Sequence, residues 1–187
     1  PGTAKTSVEA LPYGGKIRSN GEIVTVPLAA KTRKIDFGAG EKLAMTIPWG
    51  DVSTAYHTTQ IPNIEVYIPS SPGMIKQLKR LNLIKPLLRL RVVQNILKKR
   101  IEKKVKGPDQ STREILKTFV WGEAKNAAGR SKECRIQVAN GYEVTADGAV
   151  VVAQALLSSH ATAKGYQTPS MLLGDDLVER LPGTQTS

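Results

Sequence analysis

Cysteine is almost absent: Cys134 is the single thiol in 187 residues. A lone cysteine excludes an intrachain disulfide and fits a reducing compartment, so a cytoplasmic location is expected. Histidine is nearly as scarce, with only His57 and His160. One cysteine and two histidines cannot assemble a usual structural zinc site, so no metal is expected. No apolar run reaches the roughly 18 residues that would cross a bilayer. The start, residues 1–7, lacks the apolar core of a signal peptide and has no initiator Met, so it reads as a cut end. A dinucleotide fingerprint is also missing. Gly38-Ala39-Gly40 supplies two of its glycines, but position 43 is Leu and no helical pattern follows. A pyrophosphate would find no helix N-terminus there, and the segment reads as a hairpin turn. No Walker-type loop occurs. The chain therefore shows no nucleotide site of its own.

What is present supports a packed core. A hydrophobic fraction of 40% is far from a disordered composition. The length suits one sizeable domain, residues 1–187, and two would be cramped. Residues 3–11 form a short helix closed by Pro12 and a Gly14-Gly15 turn. Short runs of β type follow at 22–26, 34–37, 42–47 and 63–68, the middle two flanking the Gly38-Ala39-Gly40 turn. The centre is helical. Met74, Leu78 and Leu81 fall at helical spacing behind Pro72, and a second helix spans 86–106. In that second helix Leu90, Val93, Leu97, Ile101 and Val105 make one apolar stripe, ended by Gly107-Pro108. Strands return at 119–126 and 132–139, paired across Ala127-Ala128-Gly129. A buried helix over 146–157 takes Thr145 as its N-cap, and one short helix lies near Asp175. The order strands, helices, strands predicts an α+β fold, its mostly antiparallel or mixed sheet covered by helices, without a Rossmann domain of its own.

Charge is unevenly placed. Between Lys76 and Lys106 lie 12 of the 27 Lys and Arg residues and a single acid, Glu102. That segment carries the whole net charge of +11, because outside it 15 basic residues meet 15 acidic ones. The basic helical segment, residues 74–106, has three readings. It is a solvated helix face, or an amphipathic surface on an anionic membrane, which would make the protein peripheral to the bilayer. Nucleic-acid binding is the weakest of the three. The segment has no aromatic residue for stacking and no known DNA-reading motif.

The densest chemistry lies after the strand that stops at Pro48. Trp49, Asp51, Ser53, Thr54, Tyr56 and His57 bring polar and aromatic groups together, as in pockets that orient a ligand. Asp51 also suits a helix cap. His57 has no acid or nucleophile partner nearby in sequence and reads as a structural histidine.

Several strings, in one order along nearly the whole chain, resemble the C-terminal part of saccharopine-dehydrogenase-like oxidoreductases. They begin with Gly2-Thr3, Val26-Pro27-Leu28-Ala29, Lys31-Thr32-Arg33 and Ile35-Asp36-Phe37-Gly38. The strongest is Ile47-Pro48-Trp49-Gly50-Asp51-Val52-Ser53-Thr54-Ala55-Tyr56, followed by Ile61-Pro62-Asn63-Ile64-Glu65-Val66-Tyr67. Val120-Trp121-Gly122-Glu123-Ala124, Asn140-Gly141-Tyr142, Gly165-Tyr166-Gln167-Thr168-Pro169 and Leu181-Pro182-Gly183 complete the series. The resemblance implies a parent protein with an N-terminal Rossmann domain that binds NAD or NADP. This chain would form the substrate-side wall of a hydride-transfer site, and contacts between copies in a homo-oligomer. Its own share of the cofactor would be none, and alone it would be inactive. The implied substrate contacts are Trp49, Asp51, Ser53, Thr54 and Tyr56, with Lys31 and Arg33 as anion contacts. Tyr56 is the best proton donor by type. Relatives often have Tyr where this chain has His57, which speaks against a catalytic His57. The alternative is a stand-alone binding or membrane-surface module.

Overall fold

A computed structural model describes residues 2–104, 116–158 and 164–186. The fold is α+β, built from small open antiparallel sheets and short helices. The one domain expected from length corresponds to two compact units. Residues 1–34 and 42–107 make the first, and residues 35–41 and 108–187 the second.

The first unit opens with α1 (Gly2–Ala10) and a 3-10 turn over Leu11–Tyr13. The hairpin of β1 (Gly15–Ser19) and β2 (Glu22–Val26) follows. Sequence reading missed β1. Its signal was Asn20-Gly21, the two-residue turn pair, and both residues have positive φ, 51° and 85°. β3 (Thr32–Asp36), β4 (Glu41–Thr46) and β5 (Tyr67–Pro69) form a three-stranded sheet in that order. The tip between β3 and β4 is the hairpin turn expected from Gly38-Ala39-Gly40. The Asp36 carboxylate accepts the backbone N–H of Gly38 at 2.8 Å and of Gly40 at 3.1 Å. The strand expected over 63–68 is shorter. Ile64 makes only an isolated bridge to Arg18, and regular pairing begins at Tyr67.

α2 (Asp51–Thr59) and α3 (Pro72–Leu81) come next. The Ser71 hydroxyl caps α3 by accepting from Met74 N at 3.2 Å. Ile75, rather than Met74, is its buried anchor, packed with Ala29 and Met45 in the core. The end of α3 is tied down by Asn82, whose side chain accepts from Leu28 N at 2.8 Å and donates to Leu28 O at 3.2 Å.

The single helix expected over 86–106 is broken. α4 (Lys85–Leu88) stops, and α5 (Arg91–Lys104) starts after a turn. Two observations explain the break. The N–H groups of Arg89 and Leu90 reach back only three residues, to Pro86 O and Leu87 O, which tightens the turn. The Leu88 carbonyl is taken by the Gln94 side chain at 2.7 Å, and the same amide donates to Val8 O at 3.2 Å. α5 packs against α1 as a result. Of the expected stripe, Leu90 is exposed while Val93 and Leu97 are half-buried. The Ile101 side chain, Val105 and the helix end at Gly107-Pro108 lie outside the described residues.

In the second unit, β6 (Thr118–Lys125) and β7 (Ser131–Val138) form the expected hairpin, with Phe119 opposite Gln137. The short β8 (Gln185–Thr186) adds to the β7 edge. The tip residues of the β3–β4 hairpin belong here. Ile35 and Phe37 are buried, and the Arg135 guanidinium donates to Asp36 O at 2.9 Å. The helix expected over 146–157 begins earlier, as α6 (Gly141–Leu157). Asn140 caps it by accepting from Tyr142 N, and the Thr145 hydroxyl instead bonds Gly141 O within the helix. α6 is not buried: Val144, Val151 and Val152 are half-covered, and Val150, Leu156 and Leu157 are exposed. Its apolar composition concealed a one-sided helix. α7 (Pro169–Leu173), capped by Thr168, and a 3-10 turn over Asp175–Arg180 complete the unit.

Candidate functional site

Pro48 has no N–H to continue β4, and the chain turns there into α2. Gly50 holds the N-cap position without a side-chain bond, and Asp51 opens the first turn rather than capping it. Its charge sits at the favourable end of the helix dipole. Trp49 is 51% exposed and Asp51 is exposed, so neither belongs to the core. Val52 is the residue that anchors α2, at 2% exposure. Ser53, Thr54 and Tyr56 are half-buried along the helix. The Thr54 hydroxyl bonds back to Gly50 O at 3.3 Å. His57 is exposed, its ring edge-on to that of Tyr56.

Tyr56 meets a residue that sequence reading passed over. The buried Arg18 on β1 places its guanidinium over the Tyr56 ring, 4.2 Å from the centroid. Its Nε donates to Val52 O at 3.0 Å, and its Nη1 donates to Gly21 O. Arg18 thus locks α2 against the β1–β2 hairpin. Nothing in a lone Arg within an alternating strand announces such a role.

Lys31 and Arg33 form a second group. Lys31 N donates to the Thr46 hydroxyl at 3.1 Å, and its ammonium pairs with Glu65. Tyr67 Oη donates to the other Glu65 oxygen at 2.6 Å. Burial alone would raise the Glu65 carboxyl. The hydrogen bonds from Lys31 and Tyr67, with the charges of Lys31 and Arg33, outweigh burial and hold it below its ordinary range. A substrate anion at Lys31 would therefore compete with a carboxylate that the fold already supplies.

The sign of the pH dependence follows. A depressed folded pKa contributes stability that is present above the unfolded value of 4.5 and is lost as pH falls through the folded one. Glu65→Gln should flatten the acid limb of stability below that pH and cost at most about 1 kcal/mol near neutrality, since the Lys31 side chain is largely exposed. Urea midpoints across the acid range measure this; an unchanged acid limb would count against it.

Two clefts stand out in the first unit, and neither is lined by Trp49, Asp51, Ser53, Thr54 or Tyr56. One, of about 510 Å³, is lined by the apolar Leu43, Ile75 and Leu83 and by the basic Lys76, Lys79 and Arg80. The other, of about 880 Å³, lies between the first helical turns and α5, with Arg89, Arg91 and Lys98 on its wall. Among the described residues, no group of three or more His, Cys, Asp or Glu is placed to hold a metal ion. Gly38-Ala39-Gly40 leads into β4, not a helix, so these residues do not fit a bound dinucleotide. No family model matches the chain, and no curated protein matches it.

Proposed function

We propose that the chain forms the substrate-side part of a saccharopine-dehydrogenase-like oxidoreductase, with NAD or NADP held by a separate Rossmann domain. The observation that carries the reading is the position of the strongest motif. Trp49 and Asp51 stand exposed at the head of α2, with Ser53, Thr54 and Tyr56 half-buried behind them. Exposed aromatic and acidic groups beside half-buried hydroxyls are available to a ligand or a facing domain. In this reading Tyr56 is the candidate proton donor and Lys31 or Arg33 an anion contact.

Calorimetry of the 187-residue chain with each cofactor tests the division of labour. No binding at micromolar concentration is expected; a micromolar or tighter constant would sink the two-domain reading. In the gene product that includes any upstream Rossmann domain, Tyr56→Phe should keep the fold and slow turnover by about a hundredfold or more, as loss of a proton-transfer group does. Unaltered turnover removes Tyr56 from the reaction.

One observation favours the second reading, a membrane-surface module. Seven large apolar side chains between positions 74 and 96 are exposed, among the basic residues: Met74, Leu83, Ile84, Leu87, Leu90, Val92 and Ile96. Among the described residues no helix is long and apolar enough to cross a membrane.

A further inference from the structure

We infer that the corner joining α3 to α5 is a docking surface for an anionic lipid membrane. The inference rests on the membrane-surface reading and is independent of any oxidoreductase activity. The helical turns through Asn82–Ile84 and α4 bury Leu88 and leave Leu83 and Leu87 exposed, and Leu90 is exposed in the turn that follows. All three lie within eight residues of chain, on both sides of the break in the helix. Leu83 is 84% exposed. Single exposed apolar residues need no explanation, but three leucines exposed within eight residues, with Ile84 between them also exposed, do.

The charge around this cluster identifies what covers it. Nine Lys and Arg and no acid lie from Lys76 to Arg100. Lys76, Lys79, Arg80, Arg89, Arg91, Lys99 and Arg100 are exposed. Leucines bordered by cations suit a bilayer interface, where apolar groups enter the acyl boundary and cations meet headgroup phosphates. A second copy of the same surface would set nine cations against nine. The absence of aromatics between positions 74 and 100 leaves nucleic-acid bases nothing to stack on. The cleft lined by Leu43, Ile75 and Leu83 shares Leu83 with this cluster. Its Lys76, Lys79 and Arg80 would set phosphate contacts beside these apolar residues.

This differs from a uniform basic helix. The break after Leu88 makes the corner the inserting element, and the cations on both sides the electrostatic one.

Co-sedimentation of the full chain with phosphatidylcholine vesicles, with and without phosphatidylserine, tests the inference. At low salt, binding to the anionic vesicles should be at least about tenfold tighter and should weaken as added salt shortens the screening length. Replacing Leu83, Leu87 and Leu90 by Ser should lose about tenfold or more of that binding. Leu157→Ser, an equally exposed leucine in the other unit, should lose none. Far-UV circular dichroism checks each fold. If the triple variant fails to fold, K76Q/K79Q/R80Q decides, since all three are exposed: binding must fall. Equal binding to both vesicle types, no binding at low salt, or unchanged binding by the folded triple variant overturns the inference. Loss of cofactor binding or turnover in the parent protein would bear on the oxidoreductase reading alone.

Discussion

Gly14→Ala is expected to destabilise the first unit by about 3 kcal/mol, the sum of backbone strain and a backbone clash. Gly14 has φ 77° and ψ −165°, a region that is almost exclusively glycine's. A Cβ there would lie 2.7 Å from the Val26 carbonyl oxygen and 2.6 Å from Lys85 Nζ. The lysine can swing aside. Val26 cannot, because it is paired with Gly15 in the β1–β2 ladder. Gly40→Ala is the matched comparison. Its φ is 90°, but nothing lies within 4 Å of the new carbon, so only strain of about 1 kcal/mol applies. Chemical denaturation of both variants measures the difference. Equal losses would show that Val26 yields.

Arg18→Ala should cost about as much, roughly 3 kcal/mol, for a different reason. The side chain serves the Val52 and Gly21 carbonyls and lies over Tyr56. Removing it leaves the Val52 and Gly21 carbonyls without this donor, opens a cavity under α2 and ends the cation–π contact. Arg18→Lys keeps the charge but cannot fork to both carbonyls, so it should recover less than half of the loss. A loss below about 1 kcal/mol for Arg18→Ala would show that water or a neighbour replaces the guanidinium. Either variant that detaches α2 should also disturb Trp49 and Asp51, so fluorescence of Trp49 offers a local readout.

Elements with a local cause were legible in the sequence. The 22–26 strand, the Gly38-Ala39-Gly40 hairpin, the β6–β7 pair and the start of α3 behind Ser71-Pro72 all carry their signals within a few residues. The misses have long-range causes. The break in the 86–106 helix depends on Gln94 bonding the Leu88 and Val8 carbonyls, and the Val8 contact spans 86 positions. Periodicity contains no such information, and Pro86 at a helix start pointed to one uninterrupted helix. The Ala, Val and Leu content of residues 146–157 points to a buried helix, although what decides burial is the surface available to cover it. At the candidate site, the composition of residues 49–57 located the group and its helix. The partners that define the chemistry, Arg18 for Tyr56 and Glu65 for Lys31, lie 38 and 34 positions away. Neither Arg18 nor Glu65 stands out among the alternating residues of its own segment.

The hairpin whose tip belongs to the second unit has a consequence for how the polypeptide can be divided. Residues 35–41 complete the packing of a unit otherwise made from 108–187. A single cut between positions 107 and 108 would therefore not yield two self-sufficient halves. The C-terminal piece would lack Ile35 and Phe37, which are buried and belong to that unit. Mixed together, the two pieces should behave as complementing fragments, the longer one lending its hairpin tip to the shorter. The same arrangement orders events during synthesis. The tip emerges from the ribosome early, more than 75 residues before β6 and β7, so the unit to which it belongs cannot close until much later.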